Sequence, residues 1–216
     1  MKLEKIQIQT SNIQKTTAFY QDILELSIIE KTTNSVSIKA GNSILKFIEE
    51  PGFKSIYHFA FNIPENKLAE AIQWCRNKTD LIVIENQNVI TNFENWNAHA
   101  IYFYDNNGNL LEFIARHDLH NSETETFSSK SILNISEIGI VNENPLELGN
   151  ELISKYDLNF FSKNTNSEAF AAIGDDEGLL IMVRPNRNWY PTQTPSESNK
   201  TEISLENNGS VVYLQF

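Results

Sequence analysis

The stretch YFYDNNGNLLEFIAR, Tyr102–Arg116, decides the reading of the fold. Two apolar runs flank Asp105-Asn106-Asn107-Gly108. Asn-Gly between such runs is a strong hairpin signal. The second run, Asn109–Ala115, is apolar from Leu110 onward except for Glu112. A carboxylate in a strand that otherwise looks buried needs a partner, because an isolated buried charge is strongly unfavourable. If Tyr104 pairs with Leu110 across the turn, Tyr102 stands opposite Glu112 on the same face.

Outward from this hairpin, one pattern recurs. KIQIQTSNIQKTTAFYQDIL from Lys5, HFAFNIPENKLAEAIQWCRN from His58 and EIGIVNENPLELGNELISKY from Glu137 each open with a short alternating strand. A polar break and an amphipathic helix follow. Ser11 and Asn12 are able to cap the first helix, and Pro64 and Pro145 suit the first turn of the next two. Leu68, Ala71, Ile72 and Cys75 make one buried stripe. After each helix come short strands: Ser27–Lys31, Ser35–Ala40 and Ser43–Glu49 in the first unit; Leu81–Glu85, Ala98–Tyr104 and Asn109–Ala115 in the second; Asn159–Lys163, Ala169–Ile173 and Leu179–Arg184 in the third. Each unit therefore has the order βαβββ.

The expected fold class is α+β, built from repeated βαβββ units. One unit leaves a face of its sheet bare, and two units together enclose a pocket. Units one and two are expected to pair around a cavity over residues 1–116. Residues 117–131, polar and rich in Ser and Thr, read as a linker. Residues 132–216 form a third unit with a C-terminal hairpin about Asn208-Gly209. Either that hairpin closes the third unit or a second chain covers its concave face, as a homodimer.

The net charge of −11 disfavours nucleic acid as a partner, since the basic residues do not cluster. The single cysteine, Cys75, excludes an internal disulfide. The opening MKLEKIQIQT is no signal peptide, and no stretch is long and apolar enough to span a bilayer. A soluble, cytoplasmic protein without membrane partners is expected.

Alternation gives the units a polar inner face. Lys5, Gln7 and Gln9 share one side of the first strand, and His58, Ala60 and Asn62 share one side of theirs. With Tyr102 and Glu112, this is more polarity than a core needs, and it points to a small-molecule pocket. Trp96 is in phase with Tyr102, as a floor or lid. His99 is out of phase and faces away.

The segment IYFYDNNGNLLE, Ile101–Glu112, resembles the latter half of the extradiol dioxygenase signature, through Tyr102, Asp105, Gly108 and Glu112. With the repeated units, the chain resembles the vicinal oxygen chelate superfamily of glyoxalase I, bleomycin-resistance proteins and ring-cleaving dioxygenases. Asn106 replaces the signature proline, and its histidine near Phe93–Asn95 is absent. The resemblance implies a cavity with a divalent metal held from the first and last strands of each unit. The matching positions are Lys5, Lys46, His58 and Glu112. Glu137 heads the third unit, but its counterpart falls near Ile181 or Met182, so no second site is expected there.

Three readings of Glu112 stay open. With His58 it holds a divalent iron, zinc, manganese or nickel ion, completed by water or substrate. Alternatively it pairs with Lys5 or Lys46, fixed cations in place of the metal. In the third it sits at an exposed edge without a role. The expected function is a superfamily protein that binds a small anionic or oxygen-rich molecule, with the metal site partly lost. Lys5, Gln7, Lys46, Asn62 and Trp96 would contact the ligand, and Tyr102 and Glu112 would act on it. The alternative is a metal-dependent lyase, isomerase or ring-cleaving dioxygenase using His58 and Glu112. Metal-free catalysis with His58 as base is a further possibility.

Overall fold

A computed structural model describes residues 1–216. The fold is α+β, with strands dominant and three short α-helices. The first unit runs β1 (Lys2–Thr10), α1 (Ile13–Ala18), β2 (Ser27–Lys31), β3 (Ser35–Ala40) and β4 (Ser43–Glu49). The second runs β5 (His58–Ile63), α2 (Leu68–Arg76), β6 (Thr91–Phe93), β7 (Ala98–Tyr104) and β8 (Leu110–Arg116). The third runs β9 (Asn134–Val141), α3 (Pro145–Tyr156), β10 (Phe170–Asp175) and β11 (Gly178–Val183). A hairpin of β12 (Glu202–Asn207) and β13 (Ser210–Gln215) ends the chain.

In every unit the first and last strands pair in parallel: β1 with β4, β5 with β8, β9 with β11. The crossover through a helix that parallel pairing demands is supplied by α1, α2 or α3. Asn12 caps α1, its side chain accepting from the Lys15 N–H at 2.8 Å. Pro145 occupies the first turn of α3. Pro64 does not open α2, which starts at Leu68; its carbonyl accepts from the Lys67 N–H in a preceding turn. The second unit's short strand lies at Thr91–Phe93, and where a strand over Leu81–Glu85 is expected there are only isolated bridges, Leu81 to Phe103 and Glu85 to Asn88. Asn159–Lys163 likewise holds a single bridge, Phe160 to Ile173.

The units join differently from the sequence expectation. β5 pairs antiparallel with β9, so units two and three share an edge. β1 instead takes β12 along that edge and touches β9 only at Leu3 and Ile135. The C-terminal hairpin thus extends the first unit's sheet and does not close the third. Segment 117–131 is also more than a spacer. Phe127 is buried against Trp74 and Phe113, and its N–H donates to Glu70 at 2.8 Å.

The curved sheet separates two apolar clusters. Ile6, Ile8, Phe59, Phe61, Phe113 and Ile138 pack toward the helices. Ala60, Ala100, Tyr102, Ile181 and Trp189 belong to the cluster on the other face. Each large aliphatic or aromatic side chain so buried contributes roughly 1.5–3 kcal/mol to stability.

The Asp105–Gly108 turn ties units one and two together. Gly108 takes the positive φ (+82°) the turn requires. Buried Asp105 accepts from the Tyr20 hydroxyl (2.8 Å), the Asn109 amide (2.8 Å) and the Asn107 and Asn109 N–H groups. Asp105→Ala would leave these donors buried and unpaired, at a cost of about 2–4 kcal/mol. The expected outcome is a lower urea midpoint with an unchanged slope, measured by equilibrium unfolding.

Candidate functional site

The β5 register places the site. Ala60 lies beside Glu112 of β8 on one flank and beside Glu137 of β9 on the other. His58, two residues earlier, projects to the same face. Ala60 has no side chain beyond Cβ, so the two carboxylates and the imidazole meet above it. One donor atom from each of His58, Glu112 and Glu137 lies within 4.8 Å of the other two, and all three residues are buried.

Their hydrogen bonds orient them. His58 Nδ1 lies 3.1 Å from the Leu110 carbonyl, so it carries the proton and donates. That leaves the Nε2 lone pair toward Glu112 Oε2, 3.7 Å away. Glu112 Oε1 is buried with no hydrogen-bond partner. Glu137 accepts from the guanidinium of Arg116, which is fully buried and also reaches Asp176 at 3.4 Å. Lys163 joins this base by pairing with Asp176 and Asp118.

Electrostatics follow from burial. Desolvation pushes His58 down to about 4, with the Arg187 charge assisting, so its imidazole is neutral at pH 7. Glu112 is held well above the ordinary carboxylate range by burial and by the Glu137 charge, against the pull of Arg116. Glu137 is raised as well, by burial, while Arg116 opposes. Tyr102, cross-strand from Glu112 as the hairpin register requires, is raised far above its usual value by burial and then by Glu112 and Glu137. It keeps its proton and offers a donor. Two carboxylates, one guanidinium and a neutral imidazole leave one buried negative charge. That excess, the orphaned Glu112 oxygen and the free Nε2 fit a divalent cation, whose ligands must be neutral imidazole and ionised carboxylates. Without a cation, a proton on Glu112 is the remaining way to balance the charge.

A cavity of about 220 Å³ opens above these groups, walled by Phe93, Trp96, Tyr102 and Ile181. Trp189 covers it, with its ring 5.2 Å from that of His58. Gly139 makes this possible, because a Cβ there would stand 2.5 Å from the Trp189 ring. Within the third unit Gly139 pairs with Ile181 as Ala60 pairs with Glu112, so Ile181 holds the place of a fourth donor.

The structure gathers His58, Glu112, Tyr102 and Trp96 at this cavity. Asn62 lies deeper on β5; its amide donates to the Asp176 carbonyl at 2.9 Å and its oxygen is unpartnered. Lys5, Gln7 and Lys46 lie on the first unit's sheet, where Gln7 pairs with Lys46 and Lys5 with Ile44 and Ser204. They line no part of this cavity, so the pairing of Glu112 with either lysine does not form. The reason is the β5–β9 edge, which gives Glu112 the third unit as its neighbour. Glu137, Arg116, Arg187 and Trp189 are additions. Of these Glu137 carried a signal, its place at the head of the third segment. His99 faces away, 2.8 Å from His117.

Comparisons place the fold among known proteins. No protein-family model matches the sequence, and no curated protein matches it. Solved structures do. A Bacillus subtilis protein described as a candidate dioxygenase superposes with a TM-score of 0.63, covering 98% of this chain and 68% of its own at 16% identity. Lactoylglutathione lyase from Agrobacterium tumefaciens overlaps 51% of this chain and 90% of its own, at 17% identity and a TM-score of 0.43. The fosfomycin resistance protein FosX from Listeria monocytogenes overlaps 53% of this chain and 92% of its own, at 20% identity and a TM-score of 0.42. The chain shares the fold of the Bacillus subtilis protein, a glyoxalase/dioxygenase-like fold, over nearly its whole length.

The raised carboxylates set a pH dependence for metal-stripped protein. A group whose folded pKa lies above its unfolded one binds more protons when folded, so stability falls as pH rises past the unfolded value. The fall begins near the ordinary glutamate value of 4.5 and continues to the raised folded values. Below pH 6.5 His58, lowered to about 4, opposes this fall, so the carboxylate effect is read above it. Thermal unfolding in chelator from pH 6.5 to 8 is expected to show a falling Tm, with a flatter profile for Glu112→Gln.

Proposed function

We propose that this chain is a divalent-metal-dependent enzyme acting on a small molecule with neighbouring oxygens, its metal held by His58, Glu112 and Glu137. The observation that carries the reading is the convergence of three buried donors around Ala60, with one buried Glu112 oxygen left without a hydrogen-bond partner. Two carboxylates and one imidazole are a harder donor set than two imidazoles and one carboxylate, which favours manganese ahead of iron, zinc or nickel. A divalent ion bound there would supply Lewis-acid polarisation of paired substrate oxygens.

The chain's own residues supply the rest. The Leu110 carbonyl fixes the His58 tautomer and ring plane. Arg116 holds Glu137 in place. Tyr102, protonated at neutral pH, donates a hydrogen bond to an oxygen of the substrate and is the candidate general acid. Trp189 and the aromatic walls keep bulk water from the reacting atoms. Isomerisation, lyase chemistry and ring cleavage all fit this frame.

Arg116 favours a second reading. It already offsets one carboxylate, so a proton on Glu112 would leave a neutral, metal-free binding pocket. Calorimetric titration with manganese separates the two. The enzyme reading predicts one site per chain, weakened at least about tenfold in His58→Ala, Glu112→Gln and Glu137→Gln, since a first ligand matters no less than an outer-shell partner. Absence of binding by manganese, iron, zinc and nickel, or equal affinity in the variants, would leave the metal-free reading.

A further inference from the structure

The segment between β11 and β12 contributes the cavity's only cation that no carboxylate engages. Arg116 is paired with Glu137 and Asp176, and Arg184 with Glu168. Arg187 takes part in no ion pair or side-chain hydrogen bond; its guanidinium lies 4.8 Å from the centre of the Phe170 ring, at the cavity wall. Its backbone is not loose. The Ser196 N–H donates to the Arg187 carbonyl at 2.9 Å, the Asn186 N–H to the Ser196 carbonyl at 2.9 Å, and the Trp189 N–H to the Thr194 carbonyl at 2.9 Å. A small hairpin strap thus holds Arg187 and Trp189 over the site together. An arginine fixed beside an aromatic face, without a partner, is organised to receive a carboxylate or phosphonate in two-pronged fashion.

The rest of the cavity narrows the ligand. Phe93, Trp96, Phe170 and Tyr190 present ring faces and edges around the opening. Its volume of about 220 Å³ is below the common ~300–1,000 Å³ of ligand pockets, so it suits a body of single-ring size. Glu112 and Glu137 at the base repel an anion. A charged substituent therefore stays at the mouth while the uncharged oxygens go inward.

We infer that Arg187 is a specificity-determining residue that binds an oxyanion substituent of a small, planar aromatic substrate and so orients its opposite end toward His58, Glu112 and Glu137. The inward orientation rests on the function proposed above; the oxyanion contact does not. Carboxylate and phosphonate share the required chemistry.

Trp96 and Trp189 line the cavity, so binding is readable by tryptophan fluorescence. Benzoate, phenylphosphonate and the neutral isostere benzamide would be titrated into wild-type protein, Arg187→Gln and Arg187→Lys, each with and without chelator. The inference predicts that wild type binds one or both anions roughly tenfold or more tighter than benzamide, the scale of a charge-assisted hydrogen bond. Arg187→Gln should erase that preference while leaving benzamide affinity unchanged, and Arg187→Lys should keep part of it. The better anion identifies the substituent. Equal binding of anions and benzamide by wild type, no binding of any, or parallel loss of all three in Arg187→Gln would overturn it. Repeating the titration with His58→Ala separates the two proposals. A preference that persists there without metal supports the Arg187 contact even if the metal reading fails.

Discussion

The antiparallel pairing of β5 with β9 is the constraint on which the rest depends. Ala60 is flanked by Glu112 and Glu137 only because the second and third units share that edge. The register shift between Ala60 and Phe61 sets which residue of β9 arrives there. A slip of one residue would turn Glu137 to the helix side and bring Ser136 or Ile138 to the site. The small side chain of Ala60 is as necessary as the donors, since a larger one would fill the space in which they converge. Gly139 plays the matching part in the third unit, where it admits the Trp189 ring.

Charge balance turns that geometry into chemistry. Two carboxylates buried side by side are costly, and Arg116 offsets only one of them. The remaining negative charge must be met by a proton or a cation. Burial keeps His58 neutral with its lone pair inward and Tyr102 protonated. Acceptors able to hold a cation and a protonated hydroxyl therefore lie on the same small surface. The strap from Arg184 onward adds the opposite charge at the mouth through Arg187, so the cavity is negative at its base and positive at its rim.

Most of the fold is legible in the sequence because its signals are local. The Asn-Gly turn fixes the β7–β8 register, and with it Tyr102 opposite Glu112. Alternation in HFAFNI sets His58 on the inner face. The choice of which units share an edge is not local. All three units carry the same local pattern, so that pattern does not say which of them share an edge. β12 takes the edge of β1, which leaves β9 to β5. That single long-range choice moves Lys5, Gln7 and Lys46 away from the cavity and brings in Glu137. Arg187 and Trp189 lie in NRNWYPTQTP, which carries no periodic signal, so their positions emerge only in three dimensions.

The central claim is that units two and three build one three-donor centre. Crystals grown with manganese and measured at the manganese absorption edge test it most directly. The account predicts one anomalous peak per chain within bonding distance of His58 Nε2 and of carboxylate oxygens of Glu112 and Glu137. No peak at that position, or a peak elsewhere with Glu137 engaged by Arg116 alone, would contradict it.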